Sequence, residues 1–440
     1  MSPLEIGLWS FPVLLGLIFL RVPIGFAMFV VGLGGSTLLN GNPLMMLVQL
    51  KHMPYGTFSS YSFSIIPLFL LMGQFASVGG LSRSLFETAE AWLGHRPGGV
   101  AMAAVGACAG FGAICGSSLA TAATMGQVAL PELRRFGCTG ALATGALAAG
   151  GTLGILIPPS VILVIYAILT EQNIAKLFSA ALVPGLLAAA AYILAIAVLA
   201  RLGRGAGQPT ARLGYGERLR RLLGTWPVIA IFASVIGGIY LGIFTPTEAA
   251  AVGAAGTGLV ALANGRLDWA SLRACLLATM SSTGMIFVII LGAAVFNSFL
   301  ATTRLPQELA AFVALQGLDP WLVLALVLGL YLLFGCVMDS LSMVLLTVPI
   351  LFPAMSALDF GLTPEEFALW FGVLVLVVVE VGLITPPVGL NLFVINSMAG
   401  NVPIRETFRG VLPFVATDLA RVALLVLFPP LSLGLVSLLY

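Results

Sequence analysis

Short hydroxyl side chains set beside interrupted apolar segments are the residues whose types and spacing suggest chemistry. Gly116, Ser117, Ser118 and Thr121 form a polar cluster within an apolar, Gly-rich run from 110 to 160. The apolar arm on each side is too short to cross a bilayer alone, and Arg134 and Arg135 close the second arm. Thr152, Gly154, Pro158 and Pro159 then interrupt the next apolar segment. Prolines remove helical hydrogen bonds and free carbonyls, and at bilayer depth such backbone is tolerated only where it is buried in protein or lines a site. Hydroxyls and unwound carbonyls are hard oxygen ligands without full charge, which suits a Na+ ion that must bind and leave repeatedly. The pattern predicts a re-entrant helical hairpin followed by a broken helix.

The arrangement recurs. Phe111-Gly112 and Ser117 are matched 223 positions later by Phe334-Gly335 and Ser340, and Gly154-Ile-Leu-Ile-Pro-Pro is matched 228 positions later by Gly382-Leu-Ile-Thr-Pro-Pro. Interrupted segments at corresponding positions of two halves point to a transporter binding site. The second half adds Asp339, Ser340 and Ser342 at its tip and Thr385, Pro386, Gly389 and Asn391 at its break. We expect Na+ at Gly116, Ser117, Thr152, Gly154, Asp339, Ser340, Gly382, Thr385 and Gly389. Substrate is expected at Ser117, Ser118, Thr121, Pro158, Ser340, Pro386 and Asn391. Any single Ser or Thr in a Gly-rich membrane helix can instead serve close helix packing; the paired clusters at interrupted helices favour a site. Acids inside a membrane segment are functional candidates. Asp339 suits a cation or gate function, and Glu380, one turn before the break, either binds or braces the hairpin. Asp418 and Arg421, three apart on one helix, suit a structural ion pair. Neither tip carries an Arg or Lys, so an anionic substrate would rely on helix N-termini, backbone amides or a loop arginine.

Composition narrows the function classes. With 60% hydrophobic and 8% charged residues and a mean hydropathy of +1.11, the chain reads as an all-α polytopic membrane protein rather than a soluble globule. A net charge of +2 without a basic face gives no nucleic-acid surface. Cys108, Cys115, Cys138, Cys275 and Cys336 lack the paired spacing of a metal site and read as core residues. His52 and His95 are not placed to act as a base for the serine cluster, and no phosphate-binding Gly-Lys-Ser/Thr loop occurs. The chain therefore reads as neither an enzyme nor an ATP-driven pump. The N-terminus lacks a basic region and a cleavage site, so 8–20 is expected to be a retained first helix.

The elements that must hold these residues follow from the apolar pattern. The first inverted repeat, 1–200, has spans at 8–20, 23–39, 62–78 and 177–200, an interfacial helix at 81–93, a hairpin at about 97–137 and a broken helix at about 140–169. Five crossings and one hairpin make an odd count, so the second half must enter inverted. A basic linker, 201–222, carries Arg201, Arg204, Arg212, Arg218, Arg220 and Arg221. The second repeat, 223–440, has spans near 226–241, 246–263 and 282–300, a hairpin at about 320–360, a broken helix at about 367–397 and a last span at 411–435. Placing the linker in the cytoplasm also puts Arg21, Arg83, Arg96, Arg134, Arg135, Arg266, Arg273, Arg405 and Arg409 inside, leaving only Lys51, Lys176 and Arg304 outside, as the positive-inside rule requires. Both termini are then periplasmic, and each hairpin enters from a different side.

Four stretches carry a family resemblance: 116–124 (GSSLATAAT), 150–160 (GGTLGILIPPS), 242–251 (GIFTPTEAAA) and 380–391 (EVGLITPPVGLN). In this order they resemble the large membrane subunit of the tripartite ATP-independent periplasmic (TRAP) transporters over essentially the full chain. The resemblance implies a multi-pass protein of the bacterial inner membrane that imports an organic acid by Na+ symport. It also implies an elevator mechanism, in which a transport domain bearing both hairpins moves against a scaffold. Implied partners are a separate small four-helix membrane subunit and a periplasmic substrate-binding protein; Na+ is the co-transported ion, with no organic cofactor. The alternative is a stand-alone Na+/dicarboxylate-type permease that needs no binding protein.

Overall fold

A computed structural model describes residues 1–203, 205–315, 317 and 319–440; Arg204 of the linker lies outside the described residues. The first half contains α1 (Pro3–Phe19), α2 (Ile24–Asn40), α3 (Leu44–Phe58), α4 (Ile65–Val78), α5 (Leu81–Leu93), α6 (Gly99–Cys115), α7 (Ser118–Arg135), α8 (Gly140–Leu156), α9 (Val161–Leu169) and α10 (Ile174–Arg201). The remainder contains α11 (Tyr215–Gly224), α12 (Trp226–Phe232), α13 (Gly238–Tyr240), α14 (Pro246–Ala263), α15 (Trp269–Thr303), α16 (Leu305–Leu315), α17 (Pro320–Gly335), α18 (Ser340–Ser356), α19 (Pro364–Gly382), α20 (Leu390–Ala399), α21 (Ile404–Leu427) and α22 (Pro430–Leu439). Among the described residues, four helices are long and apolar enough to cross a membrane singly, and two bent pairs raise that number to six. The α8–α9 pair bends by 45°. α1 and α2, at 17 residues each, fall at the short end of spanning length.

Local chemistry sets the helix starts. Thr245 and Thr363 form capping boxes with Glu248 and Glu366 at the heads of α14 and α19, and Asn173, Asp268 and Asp319 cap α10, α15 and α17. Each satisfies N–H groups that a first turn leaves without partners. Several elements differ from the sequence expectation: α1 starts at Pro3 rather than at 8, and the span expected at 226–241 contains a π-helical turn at 233–237 between α12 and α13. α15 runs over 269–303 rather than 282–300, because 269–281 contains neither Pro nor Gly and Asp268 supplies its cap. The last span, expected at 411–435, starts at Ile404 and stops at Leu427, where Pro429 and Pro430 cannot continue it. The linker contains a helix, α11, whose Arg218 is buried.

α8 and α19 lie at the centre. Every residue of α8 from Leu142 to Leu156 is buried, as is every residue of α19 from Phe367 to Gly382, as expected of helices apolar all round. They touch each other, and α8 also packs on α6, α7 and α21 while α19 packs on α17 and α18. Leu8, Trp9, Leu194, Leu259 and Leu326 are exposed on outer helices, where a bilayer would cover them.

Candidate ion and substrate site

Each helix pair turns against the break of a central helix. α6 ends at Cys115, Gly116 takes φ +65°, and the Ser117 hydroxyl accepts from the Ala120 N–H at 3.4 Å to start α7. A Cβ on Gly116 would stand 2.9 Å from the Pro159 carbonyl oxygen, so this turn sits on the break between α8 and α9. At Gly154 a Cβ would stand 2.6 Å from the Ser117 carbonyl oxygen and would collide with the Thr121 hydroxyl. Gly116, Ser117, Thr121 and Gly154 therefore come together, with the Pro158–Pro159 backbone alongside. The Thr121 hydroxyl is buried beside Cys115 and makes no aligned hydrogen bond.

The second turn is built in the same way from different residues. The Asp339 carboxylate accepts from the Ser342 N–H at 3.1 Å and from its hydroxyl at 2.5 Å, capping α18. Gly335 and Gly382 approach backbone to backbone; a Cβ on Gly335 would stand 3.1 Å from the Gly382 Cα. Gly389 donates its N–H to the Cys336 carbonyl at 3.2 Å, and Asn391 donates its N–H to the Leu383 carbonyl at 3.2 Å. The Asn391 side chain is buried with neither amide atom partnered. Thr385 lies at the same break with its hydroxyl donated to the Val381 carbonyl at 2.6 Å, and the Pro386 carbonyl faces Cys336 Sγ. Asp339 also lines a cavity of about 400 Å³ together with Arg21 and Ser342. Arg21 is thus a loop arginine at the edge of a tip.

Ser118 and Ser340, the first residues of α7 and α18, meet across the halves: both hydroxyls lie beside the Glu380 carboxylate. Glu380 is fully buried, and neither oxygen has an aligned hydrogen bond.

Thr152 belongs elsewhere. Its hydroxyl lies 2.7 Å from the Ala149 carbonyl and 3.2 Å from the Tyr192 hydroxyl. Tyr192 in turn donates to Asp418 at 2.6 Å, Arg421 donates to Asp418 at 2.8 Å, and Arg421 reaches the Pro184 carbonyl at 3.4 Å. This buried network ties α8, α10 and α21 together. Tyr192 is not among the sequence candidates, since a tyrosine in an apolar run carries no local sign of its partner. The five cysteines are free and buried. Among the described residues, no group of three His, Cys, Asp or Glu side chains is placed to hold a metal ion.

Comparison with known proteins adds an independent line. Residues 11–431 match the family described as the tripartite ATP-independent periplasmic transporter, DctM component. The chain is 39% identical over 383 residues to a C4-dicarboxylate TRAP transporter large permease protein of Pseudomonas aeruginosa, covering 87% of each chain. It is 32% identical over 425 residues to a sialic acid TRAP transporter large permease protein of Vibrio cholerae, covering 95% of this chain and 96% of that one. Among solved structures, the YdaH transporter of Alcanivorax borkumensis is similar with a TM-score of 0.63 at 16% identity, over 87% of this chain and 88% of that one. That likeness bears on the fold alone.

Proposed function

The chain belongs to the DctM component family of the tripartite ATP-independent periplasmic transporters, and from that premise we propose that it imports an organic acid by Na+-coupled secondary transport. The observation that carries this reading is that in each half a helix turn sits on the break of a central helix, which brings Gly116, Ser117 and Gly154 together in one half and Gly382, Thr385 and Gly389 in the other. Unwound backbone at membrane depth is tolerated only where it is buried in protein or lines a site, and hydroxyl and carbonyl oxygens are the ligands a desolvated Na+ requires; the buried side chains of Thr121 and Asn391, which make no aligned hydrogen bond, are left to the substrate. Na+ is read here as cargo, held by Gly116, Ser117 and Gly154 in one half and by Asp339, Ser340, Gly382, Thr385 and Gly389 in the other. Substrate is read at Ser117, Ser118, Thr121, Pro158, Ser340, Pro386 and Asn391, with Arg21 available to an approaching carboxylate. Thr152, whose hydroxyl is engaged with Ala149 and Tyr192, would support the first site from behind.

In this reading 1–200 and 223–440 are inverted repeats, and the hairpins with α8 and α19 move as an elevator against the remaining helices. The partners are a periplasmic binding protein that delivers the substrate and a small membrane subunit that completes the scaffold, in the bacterial inner membrane with both termini periplasmic. Thermal unfolding of the purified protein in NaCl against KCl tests the ion assignment. Na+ at a hundredfold over its Kd would stabilise by about 2.7 kcal/mol. We expect an upward shift of the unfolding temperature specific to Na+, diminished in Ser117→Ala and in Thr385→Val. Equal shifts in both salts, or variants that keep the full Na+ shift, would overturn it.

A further inference from the structure

The first turn offers a cation only neutral oxygens, and at the second the Asp339 carboxylate also caps α18. A cation in a low-dielectric interior needs a counter-charge. Two acids are buried among the described residues. Asp418 is neutralised by Arg421 at 2.8 Å. Glu380 is fully buried, has no ion-pair partner and carries no aligned hydrogen bond on either oxygen.

Burial alone disfavours a charge there, and its surroundings offset part of that cost. Ser118 and Ser340 put their hydroxyls beside it, and these residues open α7 and α18, helices of 18 and 17 residues. The positive N-terminal ends of two helices from different halves thus converge on one carboxylate, an arrangement that favours an anion and disfavours a cation at that point. Glu380 also lies on α19 next to its break, two residues before Gly382.

We propose that Glu380 is the shared counter-charge of the two turns. It draws α7 and α18 onto one carboxylate through Ser118 and Ser340, and it supplies negative charge shared by the Na+ sites on either side. Glu380 is a positioning residue in this role: it acts on the ions through the field and through the two serines. The inference rests on the Na+-coupled reading above.

Uptake measured against Na+ concentration in proteoliposomes of the full assembly tests it. Glu380→Gln keeps the shape and the capacity to hydrogen bond but removes the charge. The expected result is a rise of about tenfold in half-saturating Na+, in the ordinary range for coupled sites, with maximal uptake retained and with partial recovery in Glu380→Asp. A Gln variant that keeps wild-type half-saturating Na+ while Glu380→Ala loses maximal uptake would overturn the proposal, leaving Glu380 a brace. If the Gln variant does not assemble, Glu380→Asp against Glu380→Asn gives the answer on a shorter side chain. The charged variant should keep the lower half-saturating Na+; equal values in the two would contradict the proposal. Wild-type uptake that ignores Na+ would sink the Na+-coupled reading itself, a result distinct from either.

Discussion

At the scale of single residues, the buried network around Asp418 shows how an ion pair inside an apolar core behaves. Asp418 and Arg421 are almost wholly buried, and the carboxylate takes its second hydrogen bond from Tyr192 on another helix. Removing one member strands the other charge, at a cost of about 3–5 kcal/mol, whereas replacing both with apolar residues costs far less. Asp418→Leu should therefore lower the unfolding temperature in detergent markedly, and Asp418→Leu with Arg421→Leu should recover most of the loss. Equal destabilisation in the single and double variants would contradict the pairing. The Asp418–Arg421 contact is legible in the sequence, because residues three apart on a helix share a face. Tyr192, 226 positions from Asp418, is not. Thr152 reads as part of the first turn because nothing local shows that its hydroxyl faces Tyr192.

At the scale of elements, local chemistry is readable where a breaker or a cap decides the outcome and unreadable where tertiary packing does. Gly116, Ser117 and Asp339 mark turns by their own conformational and capping preferences, and the helices begin where those residues stand. The residues of α11 read only as a basic linker, since their arginines suggest a solvated cytoplasmic face. Instead Arg218 is buried beside His95 Nδ1 at 3.3 Å and over the rings of Trp92 and Tyr215, while the Thr88 hydroxyl donates to the Arg221 carbonyl at 2.9 Å. Partial desolvation first, and then the charges of Arg218, Arg212 and Arg96, hold His95 below its ordinary value. A depressed folded value means the neutral ring is favoured, so the contact is at full strength above about pH 6.5 and weakens as pH falls toward the lowered folded value. Amide hydrogen exchange across Tyr215–Gly224 should accordingly lose protection at pH 5.5 relative to pH 7.5 after correction for intrinsic rates, and His95→Gln should remove that difference. Unchanged protection in the wild type would refute the clasp.

At the scale of the whole molecule, the recurrence of a turn and a break in each half makes an all-helical membrane transporter legible. The convergence of α7, α18 and α19 on Glu380 is not, because spacing within one segment carries no information about which helices meet. In the proposed mechanism, α8 and α19 bring two ion sites to the centre of the protein, and the Na+ gradient drives cargo through it. The measurement that bears on this most directly is uptake of the organic acid by proteoliposomes holding this chain, its small membrane partner and the cognate binding protein, with an inward Na+ gradient against equal Na+ on both sides. Na+-coupled import predicts accumulation only with the gradient and the binding protein, reduced in Ser117→Ala and in Asp339→Ala. Accumulation that proceeds equally without a Na+ gradient, or that both variants leave untouched, would contradict it.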